Sequence, residues 1–413
     1  MANHKKVEIS FNSETLLNAI DSIQKQFKTD NEKSDSKSGI VDIITFCEDP
    51  RYLDLINNNF TLYMSQRVIL KSFYLDTIGN EELKLTKEEW EWLYSNSTNE
   101  IKDEVEYDKN VNDVITRLKD KEKCTNKSSY FSVLHLVLGR RSSKTVMASI
   151  ITAYEAYKLL VINEGNPHAY YNLPHDDEIA IINAALSEKQ AGRLFGQIQS
   201  RIRNSPFFKG RIAKETTSEI RLYTDLDLKK KESGTNISVS GSILLLCGHS
   251  NPDSLAGYSA ILLLFDEIGF FDETGKVTGQ YFYNRLKPSL AKFYKYKAAR
   301  VVQISSPNKR NGIFYDTWLN AKQDDSILSF QLPTWRVNPE VPYEDEELTR
   351  DRKSSPDTFY IEFGAQWATG GVYGNYFDPE LVDRCVKASQ HRRLLESHQC
   401  LQADGIQDLL VHQ

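Results

Sequence analysis

The chain has 413 residues, 26% of them charged and 40% hydrophobic, with a net charge of −6. That length allows more than one compact domain around a sizeable core, and the composition is that of an ordinary soluble globular protein. Five cysteines (Cys47, Cys124, Cys247, Cys385, Cys400) lack CxxC or CxH spacing, which argues against a disulfide framework or a zinc site and suits a reducing cytosol.

No N-terminal stretch joins basic residues to a long apolar core, so no secretory signal is expected. The longest apolar run, Ala260 to Phe265, is too short to cross a bilayer, and no membrane partner is expected. The acidic balance alone is poor evidence for nucleic-acid binding, but the charge is uneven. Arg285 to Arg310 holds eight Lys/Arg and no acid, and Ser187 to Lys231 holds eleven against five. The acidic excess lies elsewhere, notably in Glu81 to Glu122. Such basic stretches are either phosphate-holding surface or ordinary solvated faces.

Taken in chain order, residues 11–28 place Leu16, Leu17, Ile20, Ile23 and Phe27 at helical spacing. The Ser-rich, charged stretch 29–39 reads as a linker. Residues 61–75 predict a short helix carrying Gln66, and 86–123 a highly charged helical insertion on the surface. From Ser129 the pattern changes. SYFSVLHLVLG predicts a buried strand, KTVMASIITAYEAYKLLVI a helix, EIAIINAA (178–185) a strand and SEKQAGRLFGQIQSRIRNS (187–205) a helix. ISVSGSILLLCG (237–248), SAILLLFDE (259–267) and ARVVQISSP (299–307) follow as further strands. Strands alternating with helices predict an α/β fold with a mostly parallel sheet, whose ligands bind at the carboxyl ends of the strands.

Three of those strand ends carry chemistry. GRRSSKT (139–145) has a lysine and a hydroxyl suited to the outer phosphates and Mg²⁺ of a nucleotide. It departs from G-x-x-x-x-G-K-[ST], since Leu138 and Ser143 stand at the glycine positions, and alone it reads equally as a strand-to-helix turn. Asp266 ends an apolar strand where it can hold hydrated Mg²⁺, and Glu267 beside it can orient and deprotonate a water. Ser305 and Ser306, stopped by Pro307, either sense a γ-phosphate or form a Ser-Pro turn. Gln66 is either an adenine-reading amide or plain surface.

Together these residues resemble the ATPase half of the large terminase subunit of tailed bacteriophages, the motor that pumps DNA into an empty capsid. The resemblance runs from about residue 55 to 385. It is carried by GRRSSKT, ILLLFDE, ISSPN…GIFYD and LYMSQRVIL, and by the spacing of INAALSEKQAGRLF, DSLAGYSAILLLFDE and FYIEFGAQWATGGVYGNYF. It implies a P-loop NTPase (RecA/ASCE-like) fold with a small lid subdomain, and ATP and Mg²⁺ as cofactors. Gly139, Arg140, Arg141, Ser142, Ser143, Lys144 and Thr145 would hold the phosphates and Gln66 the adenine. Thr145 and Asp266 would hold the metal. Glu267 would activate water, with Arg140 or Arg141 gripping the γ-phosphate. Ser305, Ser306 and Pro307 would couple hydrolysis to movement, and Arg201 or Arg203 would reach a neighbouring subunit.

The implied partners are double-stranded DNA, the procapsid portal, the small terminase subunit and further copies in a ring, in host cytoplasm. The DNA surface is expected over Lys287 to Arg310, with Phe293, Tyr294 and Tyr296. The domains read as 1–40 (helix and linker), 41–128 (Gln66 and the insertion), 129–318 (ATPase core), 319–385 (lid) and 386–413 (tail). The tail HRRLLESHQCLQADGIQDLLVHQ does not resemble the nuclease that usually follows, so no nuclease activity is expected. A superfamily 2 helicase-like ATPase is the rival, but the roughly 90 residues after 320 are short for its second RecA-like domain. A catalytically dead scaffold should have lost Lys144 or Glu267, and both are present.

Overall fold

The computed structural model describes residues 39–77, 84–97, 110–123, 129–185, 187–233, 240–249, 252–271 and 278–368, with 384 beside them. The expected helix over 11–28, the linker after it and the tail from 386 lie outside the described residues.

Helix α1 (Ile43–Glu48) is started by Asp42, whose carboxylate accepts the Ile44 and Thr45 N–H groups. Helix α2 (Met64–Phe73) follows, then the charged α3 (Lys87–Ser97) and α4 (Asn110–Lys123). The last two are more than a surface insertion. Leu93, Val114, Ile115 and Leu118 are buried, and Arg117 donates to the carbonyls of Asp324 and Ile327.

The remaining elements build one sheet with helices on its faces. They are β1 (Val133–Leu138), α5 (Lys144–Gly165), α6 (Pro167–Tyr171), β2 (Ile179–Ala185), α7 (Glu188–Asn204), β3 (Ile212–Glu215), β4 (Glu219–Leu222), α8 (Asp225–Glu232), β5 (Ile243–His249) and β6 (Ser259–Asp266). Then come α9 (Gly279–Leu286), β7 (Arg300–Ser305), α10 (Gly312–Asn320), β8 (Ile327–Leu332), α11 (Thr334–Val337), α12 (Glu346–Ser354) and α13 (Pro356–Glu362). The strand order is β3-β4-β5-β2-β6-β7-β1-β8. The antiparallel pairings are β3 with β4 and β4 with β5, so β4 alone runs against the sheet, in an edge hairpin that the apolar pattern did not reveal. Most of the six parallel strands are near-continuous apolar runs because helices cover both faces, and every residue of β2, β7 and β8 is buried although β7 and β8 carry polar residues.

Strand β8 corrects the expected division at 318. It pairs parallel with β1 from Val133↔Ile327 to Leu138↔Leu332, so residues 327–332 complete the core sheet rather than belonging to a separate lid. A strand–helix unit therefore does follow residue 320.

Helix α5 is long and apolar enough to span a bilayer, but 78% of its most apolar stretch is buried inside the protein. Its side chains pack against the sheet on one face and α7 on the other, which explains why its sequence shows no clean polar stripe. One corner of this core is ionic. Arg300 is 1% exposed, pairs with Asp76 at 2.6 Å and Glu155 at 3.3 Å, and donates to the Phe73 and Phe131 carbonyls. Phe293 is also buried, and Lys292 pairs with Asp177 at 2.6 Å. Arg300 and Phe293 are thus core groups rather than surface ones, whereas Tyr294 is half exposed.

Candidate active site

Two register facts set the geometry. Val137 of β1 lies opposite Ser305 of β7, and Asp266 of β6 lies opposite Ile304. The carboxyl ends of β1, β7 and β6 therefore stand side by side, with β7 in the middle. The phosphate-loop candidate follows β1, the two carboxylates end β6, and the paired serines end β7 between them.

Side-chain contacts close this arrangement. Lys144 Nζ donates to Ser306 Oγ at 2.9 Å and to the Gly139 and Leu138 carbonyls at 3.0 and 3.2 Å, with Glu267 Oε1 4.0 Å away. On the other side, Ser305 Oγ donates to Glu267 Oε2 at 3.1 Å and accepts the Gly269 N–H at 3.2 Å. The Ser306 N–H also points at Glu267 Oε2, at 3.4 Å. Ser305 and Ser306 thus bridge lysine and carboxylate directly, although Lys144 and Ser306 are 162 positions apart in sequence. Pro307 ends the strand just beyond them.

Electrostatics follow from burial. The Asp266 carboxyl is held up at about 7, first by desolvation and then by the neighbouring Glu267 charge, with Lys144 pulling the other way. Burial likewise lowers the Lys144 ammonium, against the pull of Glu267 and Asp266. A divalent cation beside Asp266 would favour its ionised form. Among the described residues no three His, Cys, Asp or Glu side chains gather as an all-protein metal site. That suits Mg²⁺, which binds through one or two carboxylates plus phosphate oxygens. Asp266 and the Thr145 hydroxyl are the groups here that fit it.

The loop's backbone has the shape its motif requires. Arg141 (φ 63°) and Ser143 (φ 55°) both adopt left-handed conformations, and Glu267 does the same at φ 54°. Ser143 occupies a position where the strict pattern has glycine, so the conformation persists without that residue's freedom. Ser143 also makes no side-chain cap on α5, although its carbonyl accepts the Val146 and Met147 N–H groups. Gly139 has a separate reason: a Cβ there would overlap Phe363 O and Thr334 Oγ1.

A cavity of about 760 Å³ opens over the loop. One wall is the loop itself with Lys144, Glu267 and Ser306; a second is Gln190, Arg193 and Gln197 of α7; a third is Tyr63, Asn338, Glu340 and Val341. Arg140 and Arg141 both line it, but Arg140 is engaged by the Glu362 side chain and donates its N–H to the Glu362 carbonyl. Ser142, Ser143 and Thr145 line it as expected.

Three expected residues lie elsewhere. Gln66 does not line the cavity; it is fully buried, and its Oε1 accepts the Tyr63 N–H at 3.0 Å to start α2. Tyr63, three residues earlier, faces the cavity instead. Arg201 is half-buried, donating to Ser149 Oγ at 2.5 Å and packing over Phe60. Arg203 stands out from α7 and pairs with Glu215 at 2.5 Å. The residues the motifs missed are those of the second and third walls. For α7 the signal was present: polar positions 190, 193 and 197 recur at spacings of 3 and 4, opposite buried Leu194, Phe195 and Ile198.

A parallel sheet with a strand–loop–helix phosphate site and an adjacent strand-end carboxylate pair defines a P-loop domain. Residues 16–358 match the family described as "Uncharacterized protein MJ0330, N-terminal P-loop domain", and the chain belongs to that family. Uncharacterized protein MJ0330 of Methanocaldococcus jannaschii is 26% identical over 221 residues, 51% of this chain but only 36% of that relative's length. Among solved structures, the Thermus phage P74-26 large terminase ATPase domain aligns at 17% identity and a TM-score of 0.41, covering 60% of this chain and 92% of that one. The HK97 bacteriophage large terminase aligns at 13% and 0.40, covering 67% and 54%. The large terminase of a thermophilic bacteriophage, solved in complex with ADP, aligns at 12% and 0.40, covering 62% and 53%. TM-scores of this size are too low for these likenesses to bear on function.

Proposed function

We propose that this chain binds ATP with Mg²⁺ at residues 139–145 and hydrolyses it, as the motor subunit of a terminase that moves double-stranded DNA into a procapsid. The observation that carries the hydrolysis reading is the bridge of Lys144, Ser306, Ser305 and Glu267 across three adjacent strand ends, beside Asp266 and under a cavity large enough for a nucleotide. The packaging reading rests on the motif resemblance alone, and brings with it a ring of copies, the portal, the small subunit and a host-cytoplasmic site.

The residues divide the work. Lys144 neutralises the outer phosphates, for which it must leave the carbonyls of Leu138 and Gly139. Mg²⁺, when bound, supplies charge neutralisation on the phosphate oxygens. Glu267 accepts the proton of the attacking water, its carboxylate aimed by Ser305. Ser306 touches both Lys144 and Glu267, so a shift of either is felt at the end of β7.

The test is hydrolysis by the purified chain, alone and with portal-bearing procapsids. Glu267→Gln is expected to lower turnover by roughly 10²–10⁴-fold while ATP still binds. Lys144→Ala is expected to lose binding or turnover. Wild-type turnover in both variants would reject the site. Strand separation on a forked duplex, without stimulation by procapsids, would replace the packaging motor with the helicase-like reading.

A further inference from the structure

We propose that Arg193 is a catalytic arginine that acts within its own chain, its guanidinium contacting the terminal phosphate of the bound nucleotide. The proposal rests on the nucleotide-site reading. It concerns a residue to which the sequence analysis gave no role, although it lies in the quoted stretch INAALSEKQAGRLF.

Position is the first argument. Strand β2 pairs with β6 so that Ala185 lies opposite Asp266, and α7 begins almost at once after β2, capped by Ser187. The first turns of α7 therefore rise beside the catalytic carboxylates rather than on the far side, where β8 leads to Asn338 and Glu340. Arg193 and Glu267 line the same cavity. The opposite face of α7 is sunk in the core through Leu194, Phe195 and Ile198, which fixes the direction in which Arg193 projects.

Charge is the second. Of the other cations near the cavity, Arg141 of the loop is exposed and, like Arg193, makes no ion pair among the described residues, and the rest are committed. Arg140 is held by Glu362, Lys144 by two carbonyls and Ser306, Arg201 by Ser149, and Arg203 by Glu215. Arg193 is exposed and makes no ion pair among the described residues. A long, exposed cation held on a rigid helix beside a carboxylate pair is poorly explained by stability, because no burial or pairing depends on it. It is well explained by a polyanion arriving in front of it.

The step it would serve is a balanced displacement. A water oxygen bonds to the γ-phosphorus while the bond from that phosphorus to the β–γ bridging oxygen breaks. Glu267 takes the water proton, and the bridging oxygen departs with the bonding electron pair as a β-phosphate oxygen of ADP. Arg193 neither gains nor loses a proton. It meets negative charge that moves onto the γ and bridging oxygens in the transition state, which is where a fixed guanidinium accelerates the reaction.

The experiment uses the full chain with Arg193→Ala and Arg193→Lys. It measures turnover, binding of ADP, and binding of ADP with aluminium fluoride, which imitates the transferring phosphoryl group. The expected result for Arg193→Ala is a loss of roughly 10²–10³-fold in turnover and in aluminium fluoride affinity, with ADP affinity changed less than about threefold. Arg193→Lys is expected to recover little, because one ammonium cannot reproduce the planar fork. Turnover of Arg193→Ala within about threefold of wild type overturns the proposal while leaving the nucleotide site intact. Mixing Arg193→Ala with Lys144→Ala supplies a further check. Turnover restored in the mixture would mean that the arginine serves a neighbouring copy, and would also overturn it. If the wild-type chain binds neither ADP nor ATP, the site reading itself fails and this proposal falls with it.

Discussion

His135 gives a stability prediction that is independent of nucleotide. It is the third residue of β1 and fully buried, with its ring centre 4.4 Å from that of Phe314. Nε2 lies 3.0 Å from the Phe314 carbonyl and Nδ1 2.9 Å from Ser329 Oγ. A carbonyl can only accept, so Nε2 carries the proton and Nδ1 accepts the Ser329 hydroxyl. Adding a second proton places a charge in the core, and that desolvation holds His135 at about 3, against a smaller upward pull from the Phe314 carbonyl. In the unfolded chain the same group titrates near 6.5. The folded pKa is depressed, so the unfolded state takes up the proton first. The contribution is complete above 6.5 and is lost as pH falls toward 3. At 1.36 kcal/mol per pH unit, the loss is about 2 kcal/mol at pH 5 and about 3 kcal/mol at pH 4. Urea unfolding of wild type and His135→Gln from pH 7.5 to 4.5 measures it. The variant lacks the titration, so its deficit relative to wild type is expected to shrink by about 2 kcal/mol between pH 7.5 and 5. Parallel profiles, or a His135 NMR titration near 6, would refute the reasoning.

Two further substitutions probe the loop. Gly139→Ala should destabilise the fold by about 1–3 kcal/mol in urea unfolding, because the new methyl meets the Phe363 carbonyl and the Thr334 hydroxyl; unchanged stability would contradict that close approach. Ser143→Gly should raise stability by about 1 kcal/mol or less by relieving the left-handed φ, and should leave ATP turnover intact; a variant less stable than wild type would show that the serine is not strained.

The parallel core was readable because its strands are uninterrupted apolar runs ending in polar residues, and VLHLVL, IAIINAA and SAILLLFD fold as strands where that pattern predicts them. What escaped the pattern were elements whose apolar character is diluted or whose partner is distant. Strand β8 (ILSFQL) alternates polar and apolar residues, and its burial on both faces comes from α4 and from the segment after it. The β3–β4 hairpin is four residues a side and only half-buried, so it carries almost no periodic signal. The site divides in the same way. Lys144, Asp266, Glu267, Ser305 and Ser306 share the consecutive strand ends that a parallel sheet brings together. Arg193 reaches the cavity from the polar stripe of α7, whose spacing is legible but carries no sign of what it faces, and Tyr63 reaches it as the extended residue that caps α2. The half-burial of Arg201 was not legible, because a charged residue on an amphipathic helix is normally exposed, whereas here Ser149 and Phe60 receive it at the boundary of the buried face.

The left-handed residues of the loop depend on the chain after β8. Non-glycine residues in that conformation persist only where surrounding contacts over-determine them. Around the loop those contacts come from a single segment. Gly139 N–H donates to Leu332 O, Arg140 N–H to Glu362 O, Thr334 Oγ1 to Arg140 O, and Asn338 Nδ2 to Arg141 O. Because β8 runs parallel to β1 and ends level with it, the chain leaving β8 must pass over the loop, and residues 334–363 make use of that position. Moving the loop alone would break four hydrogen bonds and the Arg140–Glu362 pair together. Moving it with residues 334–363 breaks only the Gly139 bond to Leu332 at the end of β8. Rearrangement of the loop around a ligand therefore proceeds at least cost when it carries α11 and α13 along.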